Sequence, residues 1–510
     1  MIDITVNESD FEYDIHSLVK AFYPTEEVVV HPPLAEEEAS FPRVYGKSGK
    51  EFAAETHGGR VQADLYLNVV YETDYIRIYI GKDAGDHACA GETAVHYTDR
   101  TDMAQRIEVK NRLKRLLYEL LARQTGYTLP WGTLTGIRPT KIPMKGLEEG
   151  KTETEILSGM KETYLISDEK AALSLQIAQT ERRILKEIDY RDGYSLYIGI
   201  PFCPTRCLYC SFTSYPIAKW AKRTGEYLDA LETEMQGTSA LLGEKKLQTV
   251  YIGGGTPTSL SSEDLDRLLS MIGTYFDLSE VLEYTVEGGR PDSFTPEKLK
   301  VLRHHPVTRI SVNPQTMNQE TLDLIGRLHT VQQTRDAFFM AREAGFDNIN
   351  MDLILGLPGE DREAVCRTLS DVGQMRPDSL TVHSLALKRA ARLRAEFSEY
   401  AKYGMNNSGE LMNLVRESAE GMGLFPYYLY RQKNMTGNLE NVGYAASGKE
   451  GLYNILIMEE KQTILSLGAA GMTKFVTDGR PVRTENVKDV DQYISRIDEM
   501  IERKRRAYGA

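Results

Sequence analysis

Three of the five cysteines in the chain fall within eight residues, at Cys203, Cys207 and Cys210. Thiolates are the usual ligands of iron–sulfur clusters, and three of them on one loop would leave one corner of a four-iron cube without a protein ligand. An iron in that state can chelate a substrate or a cofactor. The spacing Cys-x3-Cys-x2-Cys therefore predicts a [4Fe-4S] cluster with one open corner.

A structural zinc site is the alternative for the same three cysteines. Zinc in such sites takes four ligands, and no histidine lies between His96 and His304 to supply the fourth locally. The two remaining cysteines, Cys89 and Cys366, are predicted to be bystanders, because a free cysteine usually behaves as a small hydrophobe.

The segment that carries Cys203, Cys207 and Cys210, called the cysteine loop below, follows an apolar run at residues 196–200. The β-branched side chains of this run predict a buried strand. Enzymes built as α/β barrels place their chemistry at the carboxyl ends of such strands. Amphipathic helical stretches separate six runs of this kind, and the alternation predicts parallel βαβ units. The six runs are residues 194–200, 248–253, 282–287, 308–313, 347–353 and 379–384.

The second predicted strand ends in a glycine-rich turn, Gly253-Gly254-Gly255-Thr256-Pro257. Because glycine has no Cβ and tolerates positive φ, its backbone can approach a ligand closely. The turn is therefore a candidate contact for a cofactor, although three glycines could also serve only to make a tight turn.

Polar residues occur at or just after the later predicted strands, at Glu287, Gln315, Arg327 and Asp352. An acidic residue in a buried parallel strand costs free energy unless it is hydrogen-bonded. Asp352 therefore predicts a hydroxyl or amine of a ligand as its partner, although a backbone amide would serve as well.

Together with Tyr197, Pro201 and Phe202, the cysteine loop resembles that of the radical S-adenosylmethionine (SAM) enzymes. Among them the chain is similar to the oxygen-independent coproporphyrinogen III oxidase and dehydrogenase group, in the clostridial and bacillar branch that carries an N-terminal extension. The resemblance covers residues 194–387 and continues more weakly through the sequence LFPYYLYRQKN. It implies that the open iron binds the amino and carboxylate groups of SAM. One-electron reduction would then cleave SAM into methionine and a 5′-deoxyadenosyl radical.

The resemblance also implies roles for residues along the predicted strands. Cys203, Cys207 and Cys210 would hold the cluster as its catalytic ligands. The SAM on the cluster would be contacted by Tyr197, Gly254 and Glu287. A second SAM would be lined by Tyr209, Gly255, Thr256, Gln315, Arg327, Asp352 and Leu385.

The length of 510 residues predicts about three domains. The resemblance implies an α/β fold in which the radical SAM core is an open (β/α)6 partial TIM barrel. The N-terminal part is predicted to be α+β, with two strands within 61–83 and a helix over 102–123. The predicted divisions are an N-terminal α+β domain of unknown role (1–165), a helical connector (166–189), the core (190–424) and a C-terminal α/β cap (425–510).

The composition and charge of the chain argue against some classes of function. The net charge of −13 argues against a general nucleic-acid or membrane-surface binder. No terminal stretch has the pattern of a signal peptide, and no run of about 18 apolar residues could span a bilayer. We therefore predict a cytoplasmic protein, in a reducing compartment that suits free thiolates.

The resemblance implies an oxidoreductase of porphyrin and heme biosynthesis that works under anaerobic conditions. It would decarboxylate two propionates of coproporphyrinogen III oxidatively, giving the vinyl groups of protoporphyrinogen IX. The implied partners are this tetrapyrrole and a one-electron donor such as flavodoxin or ferredoxin, with neither nucleic acid nor membrane among them.

A substrate with four carboxylates needs cations, and arginine suits bidentate carboxylate recognition. The cations that follow the last predicted strand are Lys388, Arg389, Arg392, Arg394, Arg431 and Lys433. A solvated basic helix is the alternative interpretation of these residues.

Two positions depart from the well-studied oxidase. Phe212 stands where that enzyme has a further cysteine, and Gly199 stands where it has a histidine. The sequence CLYCSFTSY is closer here to the related heme chaperones, whose C-terminal His-Asn-x-x-Tyr-Trp motif has its nearest counterpart at residues 437–445. The last histidine of this chain is His383, so the usual axial ligand of a heme is missing from that segment. A heme-binding chaperone and a radical SAM reaction on another substrate stay open as alternatives.

Overall fold

The computed structural model describes residues 1–31, 43–45, 51–53, 64–82, 88–136, 138–432, 438–477 and 480–509. The chain divides into two compact units, Met1–Leu175 and Gln176–Ala510. The finer division into four parts that the sequence predicts stays a prediction.

The first unit is an α+β domain built on one mixed sheet. Its strands are β1 Ile2–Val6, β2 Val28–His31, β3 Arg43–Tyr45, β4 Glu51–Ala53, β5 Leu65–Tyr71, β6 Tyr75–Gly81 and β7 Ala88–Ala94. Its helices are α1 Glu12–Phe22, α2 Met103–Thr125, α3 Lys141–Glu148 and α4 Glu153–Tyr164, and α5 Asp168–Leu185 continues into the second unit. The strand order in the sheet is β4-β3-β2-β1-β5-β6-β7.

An alternating pattern of buried and more exposed side chains explains why residues of this unit form strands. In β5 every second residue is buried, as expected for a strand with one face on a core. Helix α2 begins where the Asp102 side chain accepts a hydrogen bond from the backbone N–H of Ala104, and it ends at Gly126, which has φ 75°. The two strands predicted within 61–83 are β5 and β6, and the predicted helix is α2.

The second unit alternates strands and helices, as the sequence predicts. Its strands are β8 Gly193–Ile200, β9 Phe202–Cys203, β10 Tyr215–Pro216, β11 Lys246–Gly254, β12 Glu283–Glu287, β13 Arg309–Ser311, β14 Ile349–Leu355, β15 Ser379–Ser384, β16 Phe425–Tyr430, β17 Asn441–Ala445, β18 Thr463–Leu467, β19 Met472–Thr477 and β20 Arg480–Glu485. Its helices are α6 Ile217–Trp220, α7 Thr224–Thr238, α8 Ser262–Tyr275, α9 Pro296–His304, α10 Gln319–Leu324, α11 Val331–Glu343, α12 Arg362–Met375, α13 Arg392–Ala395, α14 Phe397–Tyr400, α15 Gly409–Gly421, α16 Leu452–Glu459, α17 Val490–Ser495 and α18 Ile497–Tyr508.

The six predicted parallel strands form the centre of one sheet. They pair as β15-β14-β13-β12-β11-β8, in chain order, and each neighbouring pair is parallel. Because the strands are parallel, their carboxyl ends lie at one edge of the sheet. The predicted open (β/α)6 core is confirmed. The polar residues at the carboxyl ends of its strands lie at this one edge of the sheet.

The C-terminal residues join this sheet at both edges. Strand β17 pairs antiparallel with β15, and β16 continues beyond it. On the other side β18 pairs parallel with β8, followed by β19 and β20. The sheet therefore has eleven strands and stays open within the described residues.

Capping residues set the ends of the core helices. Ser261 and Asp361 each accept a backbone hydrogen bond at the start of α8 and α12. Thr330 and Gln333 form a reciprocal capping box at the start of α11. Gly345, with φ 92°, follows the end of α11 and allows the chain to turn back toward β14. These helices fix the spacing of the strands that carry the site.

Candidate iron–sulfur and cofactor site

The cysteine loop is closed at its base by a short parallel pairing. Strand β9, which contains Cys203, pairs with β10, and the backbone N–H of Tyr215 donates to the carbonyl oxygen of Pro201 at 2.8 Å. Cys203, Cys207 and Cys210 are all partly buried within the loop that this pairing closes. The three predicted cluster ligands therefore lie on one anchored loop.

The environment of two of the thiols, Cys203 and Cys210, opposes their ionisation. Burial raises the pKa of Cys203 to about 11, and the Thr256 hydroxyl, 3.6 Å from its Sγ, lowers it in part. Burial also raises the pKa of Cys210. Because metal ions bind thiolates, loading this site must release protons. Across the described ranges, no three His, Cys, Asp or Glu side chains are grouped so as to hold a single metal ion.

The glycine turn after β11 lies directly against the cysteine loop. The backbone N–H of Gly255 donates to the carbonyl oxygen of Ile200 at 2.7 Å. A Cβ at Gly255 would stand 2.5 Å from the carbonyl oxygen of Phe202 and 3.0 Å from Sγ of Cys203. Gly254 has φ 106°, which other residues rarely adopt. Glycine is thus required here by close approach to the loop, and the predicted contact of this turn with a cofactor stays a prediction.

Glu287 lies at the carboxyl end of β12 beside this turn. The hydroxyl of Tyr251 donates to its carboxylate, and the ring of Tyr197 stacks on that of Tyr251, 6.1 Å away and tilted by 13°. Burial raises the pKa of Glu287 to about 7, although the Tyr251 hydrogen bond opposes the rise. A Cβ at Gly254 would lie 3.5 Å from the Tyr197 hydroxyl, so Tyr197, Gly254 and Glu287 form one group.

Arg327 is 3% exposed and holds Tyr209. Its NH1 donates to the Tyr209 hydroxyl at 3.1 Å, while NH2 donates to the carbonyl oxygens of Asn313 at 2.8 Å and Gly289 at 3.0 Å. The Nε of Arg327 has no hydrogen-bond partner in the part of the chain that the structure describes. Most of the hydrogen-bonding capacity of Arg327 therefore serves the protein itself.

Gln315 adopts a backbone conformation that is uncommon for a residue with a side chain. Its φ is 68°. Its N–H donates to the carbonyl oxygen of Asp352 at 2.9 Å, and its carbonyl oxygen accepts from the N–H of Ile354 at 2.9 Å. Residues held in this region of φ and ψ are concentrated at functional sites. The two bonds fix Gln315 beside the end of β14, next to Asp352.

Asp352 has protein partners in place. Nδ2 of Asn350 donates to its Oδ1 at 2.7 Å, and Nε2 of His383 lies 3.9 Å from its Oδ2. Burial alone would raise the pKa of Asp352, but the nearby imidazole of His383 and the hydrogen bond from Asn350 hold it below its usual value. The sequence predicted a ligand group or a backbone amide as the partner, and the structure supplies a side-chain amide and an imidazole. Contact with a ligand stays a prediction.

Leu385 and the predicted cations occupy different surroundings. Leu385 is buried in an apolar cluster that includes Leu208 from the cysteine loop. Arg431 is buried and its NH2 donates to the Oδ1 of Asn438 at 2.7 Å. Lys433 lies outside the described residues. Arg389, Arg392 and Arg394 are exposed, as in the solvated-helix interpretation, while Lys388 is partly exposed with its Nζ 5.7 Å from the centre of the Phe212 ring.

Sequence reasoning missed Tyr453, which comes from α16 in the C-terminal segment. Its ring stacks on Tyr251 at 4.5 Å and 25°. The Glu283 carboxylate holds the start of α16, because it accepts from the backbone N–H of Leu452 at 2.7 Å and of Tyr453 at 3.2 Å. Both contacts join distant parts of the chain, so no local pattern predicts them.

The three loop cysteines fit the predicted iron–sulfur cluster in their chemistry. Cys203, Cys207 and Cys210 supply three thiol ligands on one loop, and thiolates suit an iron–sulfur cluster. Gly255 packs so closely against Cys203 that a side chain at this position would collide with the loop. Backbone and polar groups at the neighbouring strand ends could then contact a small molecule lying on the loop.

Comparisons with known proteins agree with this geometry. Residues 197–372 match the radical SAM superfamily. The chain is 40% identical over 456 residues to the oxygen-independent coproporphyrinogen-III oxidase-like protein HemZ of Bacillus subtilis, covering 88% of this chain and 91% of HemZ. It is 33% identical over 313 residues to the heme chaperone HemW of the same organism, covering 60% of this chain and 76% of HemW.

A solved structure shows the same fold. The coproporphyrinogen III oxidase HemN of Escherichia coli, described as a radical SAM enzyme, superposes with a TM-score of 0.50 at 23% identity. The match covers 63% of this chain and 73% of HemN. No helix in the described part of the chain has the length and apolar character of a membrane span.

Proposed function

Because the chain belongs to the radical SAM family that includes the coproporphyrinogen III oxidase-like proteins, we propose that it cleaves SAM reductively and uses the product radical on a tetrapyrrole. The observation that carries the proposal is the anchored loop of Cys203, Cys207 and Cys210 with the Gly255 turn packed against it. Superfamily membership implies a [4Fe-4S] cluster and SAM. A bound cluster of this kind supplies one electron to SAM, which yields methionine and a 5′-deoxyadenosyl radical.

In this proposal the three cysteines hold the cluster, and Tyr197, Gly254 and Glu287 hold the SAM beside it. The ionised carboxylate of Glu287 accepts a hydrogen bond from an ammonium or hydroxyl group of SAM. Gly254 lets the backbone approach because it has no Cβ. The stacked rings of Tyr197, Tyr251 and Tyr453 support this end of the site, so the carboxylate keeps its position when the ligand binds.

We place a second SAM beside the first, in contact with Gln315 and Asp352. Their fixed relation supports this proposal, since the Gln315 backbone is bonded to β14 on both sides of its unusual φ. Arg327 would contribute mainly by holding Tyr209. The remaining proposed contacts of the second SAM are Gly255, Thr256 and Leu385.

The proposed substrate is coproporphyrinogen III. A hydrogen atom passes from the β-carbon of a propionate to the 5′-deoxyadenosyl radical, CO2 leaves, one electron passes to an acceptor, and a vinyl group remains. The reaction occurs twice per substrate. An external one-electron donor, such as flavodoxin or ferredoxin, supplies the electron for each SAM. The names of the relatives support this choice, because two of them are oxidases or oxidase-like proteins of coproporphyrinogen III.

A basic cavity near the cysteine loop supports carboxylate binding. It measures about 230 Å³ and is lined by Arg206, Cys207, Arg389 and Arg392 among others. Pockets for whole ligands are usually about 300–1,000 Å³, so this cavity suits one carboxylate arm rather than a macrocycle. Arginine can pair with such an arm through two hydrogen bonds.

The test is anaerobic incubation of the reconstituted protein with SAM, dithionite and coproporphyrinogen III, followed by mass spectrometry. The proposal predicts 5′-deoxyadenosine together with a product that has lost one CO2 and two hydrogen atoms per converted propionate. SAM cleavage with a different product would contradict the proposed substrate. Absence of SAM cleavage would contradict the proposed chemistry.

Heme transfer is the second candidate, favoured by the 33% identity to a heme chaperone. The described structure places His383 between Asp352 and Tyr430, with its Nδ1 3.3 Å from the Tyr430 hydroxyl. A chaperone would bind heme tightly and leave coproporphyrinogen unchanged. Titration with heme under the same anaerobic conditions separates the two functions.

A further inference from the structure

Arg290 lies in the turn that follows β12, and the backbone of that turn directs it to the cysteine loop. A Cβ at Gly288 would stand 2.5 Å from the carbonyl oxygen of Ser311 and closer still to the ring of Phe294. Gly289 has φ 61°. The two glycines therefore allow a turn that brings Arg290 under the loop, where it is 3% exposed.

The guanidinium of Arg290 is fixed by three side chains. Its Nε and NH2 donate to Oδ1 and Oδ2 of Asp292, each at 2.9 Å. Its NH1 donates to the hydroxyl of Thr205 at 2.9 Å and lies 4.0 Å from Sγ of Cys207. The bidentate pair leaves NH1 as the nitrogen that faces the cysteine loop.

This geometry places a permanent positive charge beside one of the three thiols. Arginine stays protonated in proteins, and its charge is poorly screened where water is excluded. Reducing an iron–sulfur cluster adds one negative charge, so a nearby cation stabilises the reduced state more than the oxidised state. Hydrogen bonds to the cluster sulfurs and the net charge around them are known determinants of reduction potential.

We propose that Arg290 raises the reduction potential of the cluster held by Cys207, and that Asp292 limits the rise by holding and partly neutralising the guanidinium. Arg290 is thus a positioning and tuning residue for the electron transfer that precedes SAM cleavage. This inference rests on the proposed function, because it requires the cluster at Cys203, Cys207 and Cys210.

The experiment is a potentiometric titration of the reconstituted protein, followed by electron paramagnetic resonance, with iron content measured in parallel. In Arg290→Met the ratio of reduced to oxidised cluster at a fixed potential should fall about tenfold, which is ~59 mV for a one-electron couple. Lys219→Met is the control. Lys219 lies on α6, just after β10, and is exposed, so its loss should change the ratio less than twofold because water screens its charge.

Two further variants separate tuning from support of the loop. Arg290→Lys keeps the charge and should give a ratio between those of the parent and Arg290→Met. Asp292→Asn removes the neutralising charge and should raise the ratio, opposite in sign to Arg290→Met. Damage to the loop would shift the ratio in the same direction in Arg290→Met and in Asp292→Asn. That result would overturn the inference.

The outcomes also distinguish this inference from the proposed function. If the parent holds a cluster and Arg290→Met has the same potential, the inference alone is overturned. If Arg290→Met loses its iron, the reduction potentials of Arg290→Lys and Asp292→Asn decide whether the inference holds. A parent that cannot hold a [4Fe-4S] cluster overturns the proposed function as well.

Discussion

Lys504 in helix α18 places its Nζ 2.7 Å from Oε1 of Glu234 in helix α7, and the two side chains are 1% and 0% exposed. The other oxygen of Glu234 accepts from the Tyr493 hydroxyl at 2.6 Å and from the backbone N–H of Gly468 at 2.8 Å. Tyr227, also in α7, donates to the carbonyl oxygen of Gly199, just before the cysteine loop. The last helix of the chain is thereby tied to the strand that carries the loop.

Removing one partner of this pair should strongly destabilise the second unit. Lys504→Met leaves the Glu234 carboxylate without its counter-charge, and breaking a buried ion pair in this way costs about 3–5 kcal/mol. Urea unfolding should report the loss. The control is Arg506→Gln, which breaks an exposed pair with Glu502, and should cost less than about 1 kcal/mol. Equal effects for the two variants would contradict the assigned role.

The buried carboxyl group of Glu181 should make the stability of the protein depend on pH. Its side chain is fully buried, and among the described residues neither of its carboxylate oxygens has a hydrogen-bond partner. Burial, and next the charge of Glu459, raise the pKa of Glu181 well above its ordinary value. Because the folded state holds this proton more tightly, the contribution of Glu181 to stability should be greatest at acid pH. It should fall as the pH rises from about 4.3 toward the raised pKa.

The corresponding variant is Glu181→Gln, which cannot ionise. It should unfold at a higher temperature than the parent at neutral pH, by the equivalent of about 1–3 kcal/mol, and it should lose that part of the pH dependence. Glu187→Gln, at an exposed position in the same region, serves as the control. Parallel curves for the parent and Glu181→Gln between acid and neutral pH would show that Glu181 is not the titrating group.

SAM binding should depend on the ionisation of Glu287. Its pKa of about 7 means that the carboxylate, which accepts from an ammonium or hydroxyl group, is fully formed only above neutral pH. Affinity for SAM in the cluster-loaded protein should therefore fall as the pH is lowered through that value. In Glu287→Gln, equilibrium dialysis should find weaker binding at high pH and little change with pH. A parent whose affinity rises on acidification would contradict this role.

Loss of Asp352 should weaken only the second SAM site. A charge-assisted hydrogen bond contributes about 1.5–3 kcal/mol, so Asp352→Ala should reduce the affinity roughly ten- to hundredfold. Dialysis should count two SAM molecules in the parent and near one in the variant, with the iron content unchanged. Asp323→Asn, at an exposed position on α10, is the control. A parent that binds one SAM would refute the second site.

The six parallel strands and the cysteine loop could be predicted from sequence for a physical reason. Strands such as β8 and β14 are buried along nearly their whole length, so each appears as a short apolar run. The three cysteines lie on one loop, and their spacing therefore shows their common role directly. The glycine turn follows the same logic, since only glycine fits the approach of Gly255 to Cys203.

The rest of the site depends on residues that are distant in sequence. Tyr453 reaches Tyr251 only because α16 packs there, and the pairing of β18 with β8 has no local signature. The conformation of Gln315 is imposed by bonds to Asp352 and Ile354, so its own sequence context does not show it. The pattern Gly288-Gly289-Arg290 could have directed attention to Arg290, because paired glycines after a strand often allow a close approach.

The most direct test of the account is the formation of 5′-deoxyadenosine from SAM by anaerobically reconstituted, dithionite-reduced protein. We predict that the parent forms it, that Cys203→Ala, Cys207→Ala and Cys210→Ala each abolish it, and that Cys89→Ala and Cys366→Ala retain it. Formation that survives loss of any one of the three loop cysteines, or a parent that purifies with zinc and cleaves no SAM, would contradict the radical SAM chemistry proposed for this protein.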